Sequence, residues 1–342
     1  NQEFQDLNDE LDRIAKTTTF NGQKILEGRL ANAQFQVGPN VGETINVDLT
    51  QSMRASDIGG HAQSRFQLQG SSEVANNVDP SQFRDYEDGD WTINGFTINN
   101  IDNYSESNGR GSSSAYALAQ AINAKSEATD VQAEATAAVQ EFQEVNNANL
   151  SSGTYTLEIN DEVVYQQTQT GSISSEQLAE EVNANLAQTG VKATFDENGN
   201  FTLRAEDGRN IEIKETVEGG QGMSYFGKEL GQGNETAQQV YKGGLDLNAS
   251  RAINIESETE VDQASQQGVI VEGMEAGWSQ TTDASYLQSA DVRTVENSNE
   301  AIKKLDQAIN DVDSFRATLG AIQNRFESTI SNLRNASQNL TE

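Results

Sequence analysis

Residues 301–340 read AIKKLDQAINDVDSFRATLGAIQNRFESTISNLRNASQNL. Leu305, Val312, Leu319, Phe326, Leu333 and Leu340 recur at every seventh position, with Ala301, Ala308, Phe315, Ile322, Thr329 and Ala336 interleaved. This is an unbroken 3-4 heptad pattern with one polar member, Thr329. No proline interrupts it and its one glycine is Gly320, so a continuous helix of about 40 residues, roughly 60 Å long, is expected. Such a rod cannot bury its apolar stripe alone. Ile302, Ile309 and Ile330 lie beside the seam and widen it beyond a two-stranded coiled coil, which predicts more than one partner helix. Periodicity by itself fits any long structural coiled coil.

Working outward, Phe4, Leu7, Leu11 and Ile14 carry the same spacing, so residues 1–16 read as a short amphipathic helix packing on the long one. It is less than half as long, which leaves part of the stripe to another copy or another segment. Thr17, Thr18 and Thr19 end it with β-branched residues, and Asn21-Gly22 supplies a turn. Phe35 to Leu49, with Gly38-Pro39-Asn40 between its halves and strict alternation from Ile45 to Leu49, reads as a hairpin with one buried face.

Composition narrows the function classes. The 342 residues are too many for one core and suggest two to four domains. Apolar residues make up only 35%, and 53 acidic against 22 basic residues give a net charge of −31. Thin cores follow, and nucleic acid and anionic membrane surfaces are excluded as partners. There is no cysteine, hence no disulfide, thiolate metal site or thiol nucleophile. The single histidine, His61, follows Gly59-Gly60 and is expected to be solvated; it cannot form a paired-histidine metal site. No apolar run is long enough to cross a bilayer and no signal peptide is seen, so no membrane partner is expected. The start without Met, in mid-pattern, suggests a fragment whose export signal lies upstream.

The two ends carry long specific words. Asp12-Arg13-Ile14-Ala15-Lys16-Thr17-Thr18-Thr19-Phe20-Asn21-Gly22-Gln23-Lys24-Ile25-Leu26, followed by Gln36-Val37-Gly38 and Gly42-Glu43-Thr44-Ile45, resembles the N-terminal conserved region of bacterial flagellin. Phe315 to Ser328, with Asn332-Leu333, resembles the C-terminal signature of the same family. The likeness covers roughly the first 60 and last 50 residues.

Between the ends lies an internal repeat. Its first copy has a strand and turn at Trp91-Thr92-Ile93-Asn94-Gly95, a helix from Ala115 to Ala124 and a strand from Val131 to Ala135; its second has Tyr155 to Asn160, Glu176 to Leu186 and Val191 to Phe195. Both share Ile-Asn after the first strand and Asn-Ala late in the helix, and Ser174 or Ser175 is the expected cap of the second helix. They look like small β-α-β modules found in flagellins and hook proteins. Asn198-Gly199 and Asp207-Gly208 are hairpin signals, and Gly219 to Gly233 reads as a loop. Gly243 to Ile255 reads as a returning strand. The oxygen-rich run Asp196 to Asn200 lacks the full ligand set of a calcium loop.

The expected fold is therefore α+β and multi-domain: a long helical rod with a β-hairpin plus inserted small α/β modules. The division reads as residues 1–70 and 285–342 for the discontinuous rod, 80–148 and 149–218 for two modules, and 219–284 for a loop and return strands. The resemblance implies a structural, non-enzymatic subunit of the flagellar filament, extracellular, without cofactor or metal. It implies filament neighbours, an export chaperone and a cap protein as partners, together with a host innate immune receptor reading Glu3, Leu319, Gln323 and Arg325. It also implies that polymerisation uses terminal segments that this chain does not contain, so the chain alone is expected to be a soluble monomer. Rod packing is assigned to Phe4, Leu7, Leu11, Ile14, Leu305, Val312, Phe315, Leu319, Ile322, Phe326, Leu333 and Leu340. Two other readings are a hook–filament junction protein and a surface sugar-binding protein; the latter requires Trp91, Tyr104 and Tyr155 to form an exposed platform.

Overall fold

The computed structural model describes residues 2–20, 22–36, 44–68, 71–75, 86, 88–142, 153–168, 173–197, 199–220, 226, 233–257 and 279–341. In chain order the elements open with α1 (Gln2–Thr17), a short hairpin of β1 (Thr19–Phe20) and β2 (Gln23–Lys24), and a longer one of β3 (Leu30–Gln36) and β4 (Thr44–Leu49). Then come β5 (Ala62–Gln67), β6 (Ser71–Ala75), β7 (Trp91–Ile93) and β8 (Phe96–Thr97). Helices α2 (Ala115–Asn123) and α3 (Ser126–Thr129) precede β9 (Val131–Thr136) and β10 (Ala138–Phe142). Next are β11 (Thr154–Ile159), β12 (Glu162–Gln167), α4 (Ser175–Ala184), α5 (Leu186–Thr189) and β13 (Lys192–Phe195). Strands β14 (Phe201–Ala205), β15 (Ile211–Gly220), β16 (Gly233–Tyr241), β17 (Gly244–Ala249), β18 (Ile253–Ser257) and β19 (Ser279–Thr282) lead to the last helix, α6 (Val295–Thr341).

The chain is thus a mixture of helices and antiparallel strands, and it divides into two compact units. Unit 1 is Asn1–Ala62, Ala249–Ala252 and Asp283–Glu342; unit 2 is Gln63–Asn248 and Ile253–Thr282.

In unit 1, α6 has 47 residues, about 70 Å at 1.5 Å each, and starts earlier than the heptads indicate. Thr294 caps it, its hydroxyl accepting from the Asn297 N–H at 3.1 Å, and Glu296 sits in the first turn against the helix dipole. The core of the unit joins the inner face of β3 and β4 (Leu30, Ile45, Val47, Leu49) to Met53, Ile58 and Leu287 and to Ala308 and Phe315 of α6. Phe4 and Leu11 of α1 pack against it, as do Leu319, Ile322 and Phe326. The β4 pattern alternates exposed and buried as predicted. The expected turn at Gly38-Pro39-Asn40 lies outside the described residues.

In unit 2 the strands form a five-stranded sheet ordered β12-β11-β15-β16-β6 and a four-stranded one ordered β19-β18-β7-β8. Two three-stranded sheets run β10-β14-β13 and β5-β17-β9. Ser114 caps α2 and Ser174 caps α4, each hydroxyl accepting a backbone N–H at 3.2 Å, and Gln177 completes a capping box on α4. Near the C-terminal end of each helix an asparagine amide bridges to a later strand. Asn123 donates to Ala133 O and accepts from Ala133 N, both at 2.8 Å; Asn183 does the same with Ala193 at 2.9 Å. A second asparagine, in the left-handed turn after the first strand, ties the helix end to a later strand. Asn94 donates to Thr129 O at 2.7 Å and accepts from Asn254 N at 2.7 Å; Asn160 donates to Thr189 O and accepts from Glu212 N, both at 2.8 Å. Positive φ values of 50° and 51° at these two positions suit asparagine, the non-glycine residue that best tolerates this region.

The Asp207-Gly208 turn between β14 and β15 wedges between α2 and β9. The Gly208 carbonyl accepts from Tyr116 N, and a Cβ on Gly208 would stand 2.3 Å from Ala135 Cβ. Asp207 accepts from both Arg110 and Arg209. Burial pushes the Asp207 carboxyl upward, but the hydrogen bonds from Arg209 and then Arg110 outweigh that and hold it well below the usual carboxylate range. Parts of unit 2 escape prediction: β5, β6, β10 and β12 are strands where none is expected, and β15 continues to Gly220, inside the predicted loop.

Candidate functional site

The site is built on α6. Four contacts fix the rotation of this helix about its axis, and all are polar or backbone-close. The Gly59 N–H donates to Asp311 Oδ2 at 2.9 Å, and a Cβ on Gly59 would fall 2.5 Å from the Lys304 carbonyl. Lys304 Nζ reaches Ser289 Oγ at 3.1 Å, and burial lowers the pKa of this ammonium against the opposing pull of Glu300. His61 is buried, its Nε2 3.0 Å from Glu300 Oε2, and its backbone exchanges two hydrogen bonds with Ser285. The expectation of a solvated histidine is therefore wrong: Gly59 lets the chain approach α6 and Gly60 lets it approach the Ser250 carbonyl, so the ring is buried against Glu300.

This rotation corrects the expected seam. Ala301, Lys304, Ala308 and Phe315 face inward, whereas Leu305 and Val312 are exposed. The heptads place Leu305 and Val312 at the contact, but the Gly59 turn admits only the small Ala308 and the backbone at Lys304, and that turns both larger side chains out. On α1 the same shift occurs. Asn8 and Ala15 are buried beside Phe4 and Leu11, Asn8 donating to the Leu287 carbonyl at 3.3 Å, while Leu7 is 68% exposed and Ile14 lies out as well. Asp12 fastens the helix, accepting from Lys16 at 2.7 Å and from Ala55 N at 3.0 Å. Leu319, Ile322, Phe326 and Leu333 are half-buried; Leu340 lies on α6 outside the residues whose side chains are described.

Two surfaces result. Val295, Ile302, Leu305, Ile309 and Val312 form an exposed apolar stripe on α6, with Ile302 at 54% and Ile309 at 59% exposure. Further along the same helix, Leu319, Ile322 and Phe326 join Phe20, Ile25 and Phe35 around an open apolar groove of about 400 Å³, with Gln323 as a polar member. Phe35 and Phe326 meet there edge to face, with ring centroids 6.0 Å apart. Glu3 and Arg325 are exposed, and Gln323 donates to Glu327 at 3.0 Å. The pins Gly59, Lys304 and Asp311 were missed by the sequence reading, and the only signal for them is a charged pair of positions, 304 and 311, spaced by a heptad.

No metal-binding group of three or more His, Cys, Asp or Glu occurs among the described residues. The Asp196 carboxylate, considered for calcium, instead accepts from the backbone and side chain of Asn200 at 2.9 and 2.7 Å. Trp91 and Tyr155 are fully buried, so the aromatic platform required for sugar binding does not form. Among the described residues no helix is long and apolar enough to cross a membrane.

A family model for the bacterial flagellin C-terminal helical region matches residues 302–342, and one for the flagellin hook IN motif matches residues 171–207. B-type flagellin of Pseudomonas aeruginosa is 27% identical over 97% of the chain and 66% of its own length. Flagellin A of Helicobacter pylori is 26% identical over 94% of the chain and 65% of its own length. Flagellin of Halalkalibacterium halodurans is 37% identical over 31% of the chain and 41% of its own length. A solved structure of FliC from Burkholderia pseudomallei aligns over 95% of this chain and 83% of that one, at 17% identity and a TM-score of 0.29. The chain spans at most about two thirds of the length of the first of these relatives. The last helix and part of the second module match flagellin family models, and flagellins align along nearly the whole chain, so the chain is similar to bacterial flagellins from end to end.

Proposed function

We propose that the chain serves as a structural subunit of the flagellar filament, extracellular and without catalytic activity. The observation that carries this reading is the exposed stripe of Val295, Ile302, Leu305, Ile309 and Val312 on a 47-residue helix whose sequence matches the flagellin C-terminal region. Fully burying a large aliphatic side chain is worth about 1.5–3 kcal/mol, so this stripe drives association with another helix. A filament needs unlike side surfaces that meet under a rotation that does not close, and a long helix offers the contact area. The net charge of −31 opposes indiscriminate bundling of the subunits.

In this reading unit 1 is the helical rod and unit 2 holds the inserted modules, with β16 to β19 completing the module sheets. The export chaperone, the cap protein and a host innate immune receptor are partners by family likeness; Glu3, Gln323 and Arg325 are exposed and Leu319 is half-buried, which suits a receptor contact. The test is a double substitution, Ile302→Ser with Ile309→Ser, in flagellated cells. Filaments should be lost or much shortened while the purified chain unfolds at an unchanged temperature. Normal filaments would refute the proposal.

A further inference from the structure

Unit 2 contains one strand order twice. The sheet β5-β17-β9 matches β10-β14-β13, and β19-β18-β7-β8 matches β16-β15-β11-β12, the latter extended by β6. The side-chain bonds follow the same correspondence: Ser114 with Ser174, Asn123 with Asn183, Thr129 with Thr189 and Asn94 with Asn160. Besides the added β6, the described elements of the two sets differ in how one pair of strands is joined. In the second set β13 and β14 are joined by the tight turn Asp196–Asn200, whereas in the first set β9 and β17 are joined by everything from β10 to β16.

We infer that the second module is inserted inside the first, within the hairpin between β9 and β17, and that the Asp196–Asn200 turn is the position where the chain accepts a further folded domain. This rests on reading the two sets as copies of one module. Geometry supports it at both places. Residues β9 and β17 are sheet neighbours, so an insert leaves and re-enters at adjacent points, and Phe195 pairs directly with Phe201 at the corresponding place. A domain whose own ends are close together therefore fits without moving the strands.

Two other turns of the second module are closed to such an insert. Asn160, between β11 and β12, is fully buried and holds Thr189 and Glu212; Gly208, between β14 and β15, is wedged against Ala135. At the Asp196–Asn200 turn Glu197 is exposed, and a Cβ on Gly199 would meet nothing within 4 Å.

The experiment inserts a small tryptophan-free domain with adjacent termini into the full chain, after Glu197 or after Asn160, and follows thermal unfolding by tryptophan fluorescence. The reporter is Trp91, fully buried in unit 2. Insertion after Glu197 should lower the Tm by less than about 5 °C, and insertion after Asn160 should lower it by more than about 10 °C or abolish the transition. A flexible Gly/Ser segment of about a dozen residues after Glu197, which has no fold of its own to lose, should lower it by about 2–4 °C, the effect of a longer loop alone. A loss after Glu197 as large as that after Asn160, with either insert, overturns the inference. Asn123→Ala and Asn183→Ala in the same assay test the copy reading separately: similar losses support it, and a loss confined to one refutes it whatever the insertions show.

Discussion

Helices α4 and α6 differ in how completely they are closed. In unit 2, α4 turns Leu178, Ala179 and Val182 into the core and leaves no large apolar side chain exposed, as does α2 with Leu118 and Ile122. Their ends are tied by side-chain bonds to neighbouring strands. In unit 1, α6 buries Ala301, Ala308 and Phe315 but exposes Val295, Ile302, Leu305, Ile309 and Val312 on another face. A short helix that satisfies itself needs only its own sheet, while a long helix with two apolar faces needs a second body. The contrast separates residues that hold the chain together from residues kept for assembly.

The largest effect expected is at the inward face of α6. Phe315 is 4% exposed within the unit 1 core, so Phe315→Ala should destabilise unit 1 by about 3–5 kcal/mol. Urea unfolding followed by helical circular dichroism would show this as an early transition, with tryptophan fluorescence, which reports unit 2, unmoved. If both signals shift together, the two units do not unfold separately and the comparison loses its footing.

Next in size is the tie that closes the unit 2 helices. Asn160→Ala removes the amide's bonds to the buried Thr189 carbonyl, which keeps Arg209 alone, and to the Glu212 N–H, and it puts alanine at positive φ, an expected loss of about 2–4 kcal/mol. Asn94→Ala removes the corresponding bonds at a half-buried site and should lose less, about 1–3 kcal/mol. Tryptophan fluorescence in urea checks the order.

The smallest effect depends on pH. Arg209 and Arg110 hold Asp207 below its ordinary pKa, so its stabilisation is present above the unfolded value near 3.8 and is lost as pH falls toward the folded value. Asp207→Asn should therefore be less stable than the parent at pH 7, and the gap should close as the pH falls below about 4. A gap independent of pH would mean that the carboxylate charge does not matter there.

Much of this was legible in the sequence, and the reasons are specific. The repeated words Ile93-Asn94 and Ile159-Asn160, Asn123-Ala124 and Asn183-Ala184 stand out because those asparagines make the same bonds in both places. The long helix was visible because its apolar residues repeat without a break. Its rotation was not, since that is set by Gly59 and Asp311, 252 positions apart, and by a buried Lys304 that periodicity counts as polar surface. Strands such as β10 and β12 escaped because Val139 and Val163 are exposed, which blurs the alternation. The hydrogen-bonded ion pair of Arg110 and Asp207 joins residues 97 apart, a pairing that no local pattern encodes.

The central claim is that the outward face of α6 is the assembly contact. The sequence contains no cysteine, so Ile309→Cys supplies a single thiol at a position 59% exposed in the chain by itself. Its labelling rate by a small maleimide is to be compared on free subunits and on intact filaments, with Lys125→Cys on unit 2 as the reference. The account expects rapid labelling of both sites on free subunits and at least about tenfold slower labelling of position 309, but not of position 125, in filaments. Equal labelling of position 309 in the two states would contradict it.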